Sequence, residues 1–170
     1  MADRTIGDFL SAAASTEPAP GAASAGAVAL SLGLACARKA LAMTLKHHPE
    51  RETLRETEIH LAGLVDQALA GAEADMKGFA AYIEACRLPH DDPERGPAEQ
   101  AALADLVAIG ECLIAIADEA RGLIEKVRPL VIDIMANDVV TALALIAAAR
   151  SIHVACTAES RRSLQTPRSP

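Results

Sequence analysis

Ala25, Ala29, Gly33 and Ala37 recur every four residues in a stretch that carries no charge between Glu17 and Arg38. On a helix these four positions share one face, and that face has almost no side chain. Such a ridge lets a second helix approach at the short end of the usual packing range of roughly 8–10 Å. The same economy runs through the whole chain. Alanine accounts for 38 of the 170 residues, and Phe9, Phe79 and Tyr82 are its only aromatics. Strands favour β-branched and aromatic residues, so a β-sandwich or barrel is disfavoured, whereas alanine has the strongest helix propensity. The chain reads as all-α, a multihelical bundle of about five helices. Its length suits one domain that buries about two-thirds of its unfolded surface.

A net charge of −7 and the scarcity of aromatics argue against a nucleic-acid binder, which needs cationic surface and stacking platforms. Cys36, Cys86, Cys112 and Cys156 form no CxxC pair and read as small buried hydrophobes. The acidic start MADRTIGD lacks a signal-peptide n-region. Together these imply a reducing, cytoplasmic setting. The uncharged stretch before Arg38 holds Pro18, Pro20, Gly21, Gly26 and Gly33. It lacks the density of large apolar residues found in a spanning helix, so a buried helix, with no membrane partner, is the expectation.

Turn chemistry divides the chain. Thr5 and Asp8 are spaced as an N-cap pair, which predicts a first helix over about Ile6–Ala14. Pro18, Pro20 and Gly21 forbid regular structure, and a long helix follows over about Ala23–His47. Pro49 marks a helix start, with the third helix reaching Arg87 and bending near Gly71. The segment LPHDDPERGP (Leu88 to Pro97) is the clearest break. A fourth helix from Pro97 to about Lys126 precedes the interruption at Pro129, and a fifth ends near Arg161. The expected domain is 1–161, with a disordered tail over 162–170. Leu130 to Ile134 is the one short strand candidate.

Metal chemistry finds little support. His47 and His48 point about 100° apart on a helix and read as a solvated helix end. His153 and Cys156 share a face but lack a third ligand. Two acids stand out by position: Asp75, on a helix with an apolar neighbouring face, and Asp138, beside the almost uncharged run Val139 to Ala149. Ionised carboxylates are seldom buried without a partner. Each is therefore a cap or surface acid, or the two are a pair flanking a helical cleft and tuned for proton transfer.

Three segments, in order, resemble one family. TIGDFLSAAASTEPAPGAASAGAVALSLGLA, DMKGFAAYIEACRLP from Asp75, and NDVVTALALIAAARSIHVACTAES from Asn137 are similar to segments of the formimidoyltetrahydrofolate cyclodeaminase and methenyltetrahydrofolate cyclohydrolase family. The resemblance spans about Thr5 to Leu164. It implies an all-α homodimer that binds a reduced folate or related pterin as substrate, with no metal or redox cofactor. Family chemistry opens or closes the one-carbon bridge between N5 and N10 of tetrahydrofolate by acid–base catalysis. By position the resemblance makes Asp75 and Asp138 the catalytic pair. It assigns ligand contacts to Pro20, Gly21, Ser24, Lys46, His47, Phe79, Cys156 and Ser160.

The chain departs from the family pattern at several of these places. A glycine-rich turn reads Gly21-Ala22-Ala23-Ser24 here, which should hinder backbone approach and positive φ. Lys46-His47-His48-Pro49 replaces a Gly-Lys-Lys-Tyr-like stretch. Two asparagines four residues apart are matched by Cys156 and Ser160, and a thiol lacks the two-way hydrogen bonding of an amide. Two functions therefore stay open: an enzyme acting on a one-carbon folate adduct, and a non-catalytic relative whose pocket is repurposed.

Overall fold

Proline and glycine set the reversals of the chain in the computed structural model, which describes residues 5–165. Helix α1 spans Ile6–Ala13 and opens on a capping box in which Thr5 and Asp8 bond each other's backbone N–H. The loop carrying Pro18 and a cis Ala19–Pro20 peptide leads into α2, Ala22–His47. Helix α3 covers Glu52–Arg87 without interruption at Gly71. It begins three residues after Pro49, whose carbonyl instead accepts a 2.7 Å bond from Arg55. Helix α4, Arg95–Val127, starts two residues before Pro97. Proline is tolerated there because first-turn N–H groups have no helical acceptor.

Between α4 and the last helix, Leu130 to Ile134 forms parts of two short 3₁₀ turns around Arg128–Leu130 and Asp133–Met135. No strand occurs among the described residues. Helix α5, Ala136–Gln165, runs four residues past the expected end. Residues 162–165 are thus helical rather than a disordered tail, and 166–170 lie outside the described residues.

The four long helices form an antiparallel bundle in which α2 and α4 each pack against both α3 and α5. The small-residue ridge does what its spacing predicts. At Gly33 a Cβ would stand 3.0 Å from the Ala142 carbonyl oxygen and 3.0 Å from Ile146 Cγ1, so α2 and α5 approach closely along it. Leu30, Leu34, Leu61, Leu113 and Ile146 fill the interior. Ion pairs tie the helices on the outside: Arg38–Glu58 joins α2 to α3, while Arg150–Asp118 and Arg161–Glu111 join α5 to α4. Inside the connection after α3, Arg95 bonds Glu99 at 2.9 Å and the Leu88 carbonyl at 2.8 Å.

The cysteines differ from expectation: Cys112 is exposed and the other three are half-buried. Helices α2, α4 and α5 are also long and apolar enough, by length and composition, to cross a membrane. Much of their apolar surface points outward, including Leu32 and Met43 on α2 and Val140 and Val154 on α5.

Candidate functional site

One end of the bundle is open. The N-terminal turn of α2, the second half of α3, the first half of α4 and the last third of α5 surround a cleft of about 300 Å³. Leu106, Ile109 and Leu113 of α4 and Phe79 of α3 make its apolar walls, and Ala19 and Gly21 form one rim. The polar side chains of the lining belong to α3 and α5: Asp75 on one side, and His153, Cys156, Thr157, Glu159 and Ser160 on the other. Among the described residues no Lys or Arg lines this space. No group of three or more His, Cys, Asp or Glu is placed there or elsewhere among them to hold a metal ion.

Asp75 is held by α2. Ser24 Oγ donates to Asp75 Oδ2 at 2.7 Å, and the Ser24 backbone N–H also donates to this carboxylate. The reason is local. Gly21 is the N-cap of α2 and has no side chain to offer the first-turn N–H groups. Ser24 is the third residue of that turn, so its N–H has no helical acceptor. The carboxylate of a different helix supplies one. Burial disfavours the charged form and raises the Asp75 pKa above its ordinary value, and the two bonds from Ser24 oppose that rise only in part. An apolar cleft with one acid biased toward its protonated form is an arrangement suited to proton transfer. The Cys156 thiol is pushed up by burial and by the negative charge of Asp75, which puts it on the α5 wall opposite.

The second feature is deeper in the cleft. His153 is fully buried, and neither Nδ1 nor Nε2 has a hydrogen-bond partner; the same holds for Thr157 Oγ1. Burial alone lowers the His153 pKa, so the imidazole is neutral at neutral pH. In the sequence His153 reads as a metal-ligand candidate, and Thr157 is unmarked. Their spacing of four residues, in an otherwise apolar helix, was the available signal.

The residues expected at the site are divided by the structure. Gly21, Phe79, Cys156 and Ser160 line the cleft with Asp75, and Ser24 supports that acid. Pro20 is buried beside the rim but is not part of the lining. Asp138 is not brought to Asp75. It lies in the first turn of α5 and pairs with Lys39 at 3.4 Å, 15 residues before His153, or about 22 Å of helix. The paired-carboxylate idea fails because the two acids occupy opposite ends of the bundle. Lys46 and His47 are likewise remote from Asp75 within this chain: they end α2, 22 residues from Ser24, about 33 Å away. Ala22 and Ala23 cost less than expected. Gly21 has φ −112°, both alanines are already helical, and no described residue has positive φ. The turn does not use the backbone freedom of glycine.

His153 and Thr157, four residues apart on α5, are both buried, with His153 Nε2 against Gly26 of α2 and Thr157 Oγ1 against Gly110 of α4. Cys156 and Ser160 lie half-buried beside them. The sequence profile of the formiminotransferase-cyclodeaminase family matches residues 5–156. The chain belongs to that family. Its fold is similar to the crystal structure of formiminotetrahydrofolate cyclodeaminase from Thermotoga maritima, with a TM-score of 0.82 at 18% sequence identity. That likeness covers 96% of this chain and 81% of the Thermotoga chain. No curated protein matches the sequence.

Proposed function

We propose that the cleft binds a one-carbon adduct of tetrahydrofolate and opens or closes the bridge between N5 and N10, with Asp75 carrying the proton. The supporting observation is Asp75 itself: one half-buried carboxyl with a raised pKa, fixed by Ser24 and facing an apolar space. In the cyclohydrolase direction, water adds to the bridging methenyl carbon, loses a proton, and the bond from that carbon to N5 breaks. The product is 10-formyltetrahydrofolate. In the cyclodeaminase direction, N10 attacks the formimino carbon, and ammonia leaves after its nitrogen is protonated. Each route needs a proton taken from an attacking water or amine and delivered to a departing nitrogen. A carboxyl whose pKa is moved toward neutrality can do both. The apolar walls limit competing water.

The test is the absorbance decay of methenyltetrahydrofolate, with ammonia release from the formimino adduct as the parallel assay. The wild-type chain should accelerate one of the two. Asp75→Asn should lower that rate by about 10²–10⁴-fold, the usual share of a positioned acid–base group. No acceleration of either reaction would sink the enzymatic reading.

A second reading has its own support. Asp75 caps α2 from another helix, a structural task that alone would account for a half-buried acid. On that reading the chain is a non-catalytic relative that binds a folate or pterin. Its signature is calorimetric binding of 5-formyltetrahydrofolate, unchanged in Asp75→Asn, without turnover in either assay. Both readings extend to a homodimer, in which exposed Leu32, Met43, Val140 and Val154 on adjacent α2 and α5 supply apolar area to cover. Light scattering after size exclusion measures the mass that decides this.

A further inference from the structure

The two oxygens of the Asp75 carboxyl are not equivalent. Among the described residues its hydrogen bonds come from Ser24: the hydroxyl donates to Oδ2 at 2.7 Å, and the backbone N–H donates to the same carboxyl group. Ser24 is fully buried, whereas Asp75 is half-buried and lines the cleft. The carboxyl therefore reaches from the buried first turn of α2 to the open space, with Oδ2 on the α2 side. Across the cleft α5 presents His153, Cys156 and Glu159, and Glu159 is paired with Arg162. Glu73 and Lys77 flank Asp75 along α3, while the first turn of α2 and the α4 lining bring no titratable side chain.

A protonated carboxyl has one O–H donor and keeps its acceptor capacity chiefly on the other oxygen. An oxygen already accepting a short hydroxyl bond is the poorer place for the proton. We propose that Ser24 is the positioning residue of this acid: its hydroxyl keeps Oδ2 as the accepting oxygen and leaves Oδ1 to take up and deliver the proton in the cleft. The inference rests on the reading in which Asp75 carries the proton, and it adds a condition to it. The reacting oxygen, and the pH at which it is charged, are set from α2. Bonds to the ionised form favour that form, so Ser24 opposes the upward push of burial on this acid. The opposition keeps Asp75 able both to accept a proton and to release one. It also fixes the direction from which the proton arrives, because Ser24 sits in the first turn of a long, packed helix.

The experiment is steady-state kinetics of the full chain across pH, for wild type, Ser24→Ala, Asp75→Asn and the double variant, in whichever assay the wild type accelerates. Ser24→Ala should lower kcat by about 10–100-fold, the usual consequence of a misplaced reacting group, with KM little changed. The limb of the pH–rate profile set by Asp75 should move to higher pH. Losing a bond to the ionised form raises that pKa, and the sign is the same whether the rate requires the acid or its base. Ser24→Thr keeps the hydroxyl and should recover both rate and profile. In the Asp75→Asn background Ser24→Ala should lower the rate little further, because the two residues act as one unit. Carbon-13 titration of the Asp75 carboxyl follows the same movement without substrate. If Ser24→Thr does not fold, the double variant carries the test. A pH profile and carboxyl titration unmoved in folded Ser24→Ala overturn the inference, as does a full additional loss in the double variant. A fall in Tm with wild-type kcat and profile overturns it too, since the contact then only fastens α2, and the folate reading stands. Absence of turnover by the wild type removes that reading and the proton-delivery role together.

Discussion

Replacing Gly33 and Gly63 by alanine adds the same methyl group to two helix interiors, and the structure assigns the two changes opposite signs. Alanine is favoured over glycine in a helix interior by about 0.8–1 kcal/mol. At Gly63, on the exposed side of α3, nothing lies within 4 Å of the new Cβ, so that gain is kept. At Gly33 the new Cβ meets the Ala142 carbonyl oxygen at 3.0 Å, Ile146 Cγ1 at 3.0 Å and Leu145 Cβ at 3.2 Å. Two of these atoms are fixed to the α5 backbone, so rotamer changes cannot relieve them. Helix α5 must move as a body, and overpacking of this kind costs about 1–3 kcal/mol. Subtracting the propensity gain leaves Gly33→Ala destabilised by roughly 1 kcal/mol. For a domain of this length that is a fall in Tm of about 2–4 °C, against a comparable rise for Gly63→Ala. Thermal melting by circular dichroism, with urea unfolding as a check, measures both. If Gly33→Ala melted as high as Gly63→Ala, the claim that the small-residue ridge sets the α2–α5 distance would be refuted.

Three further outcomes follow from the cleft and its surroundings. Asp75 has a folded pKa above its ordinary value, so folding takes up protons and its contribution to stability declines as pH rises through and above the usual carboxylate range. The Tm of Asp75→Asn relative to wild type should therefore climb between acid and neutral pH; a flat difference would show that burial does not penalise this carboxylate. His153 has the opposite sign: its folded pKa is depressed, so stability is lost as pH falls below the ordinary histidine value, and a folded His153→Phe should lose less on the same descent. Arg95→Ala removes the bond from the start of α4 to the Leu88 carbonyl at the end of α3, together with an ion pair to Glu99 within α4, and should cost about 1.5–3 kcal/mol by chemical denaturation, whereas an unchanged midpoint would mean that Arg95 does not hold the turn.

Much of this architecture was legible in the residues. The four-residue recurrence from Ala25 to Ala37 identified the close-packed face of α2, and the Thr5–Asp8 spacing gave the capping box. Pro18 to Gly21 and Leu88 to Pro97 located the breaks, because these signals act through local backbone chemistry. Family membership was legible too, as three segments in order. Helix starts moved by two or three residues near Pro49 and Pro97, where proline fits several early positions and tertiary contacts choose among them.

The sequence by itself determined an all-α chain of long alanine-rich helices, and it singled out Asp75 and Asp138 as candidate acids. Helical periodicity and side-chain size are properties of neighbours along the chain, so one sequence is enough to read them. Which ends of those helices meet is not such a property. Asp138, Lys46 and His47 look as suitable as Asp75 on paper, yet antiparallel packing carries them to other parts of the bundle. His153 and Thr157 look like ordinary members of an apolar helix. Only the tertiary structure sets them against Gly26 and Gly110, where their polar atoms find no partner. The reason is distance: about 1.5 Å of rise per residue takes a 30-residue helix from one end of the domain to the other, and packing alone decides what waits there.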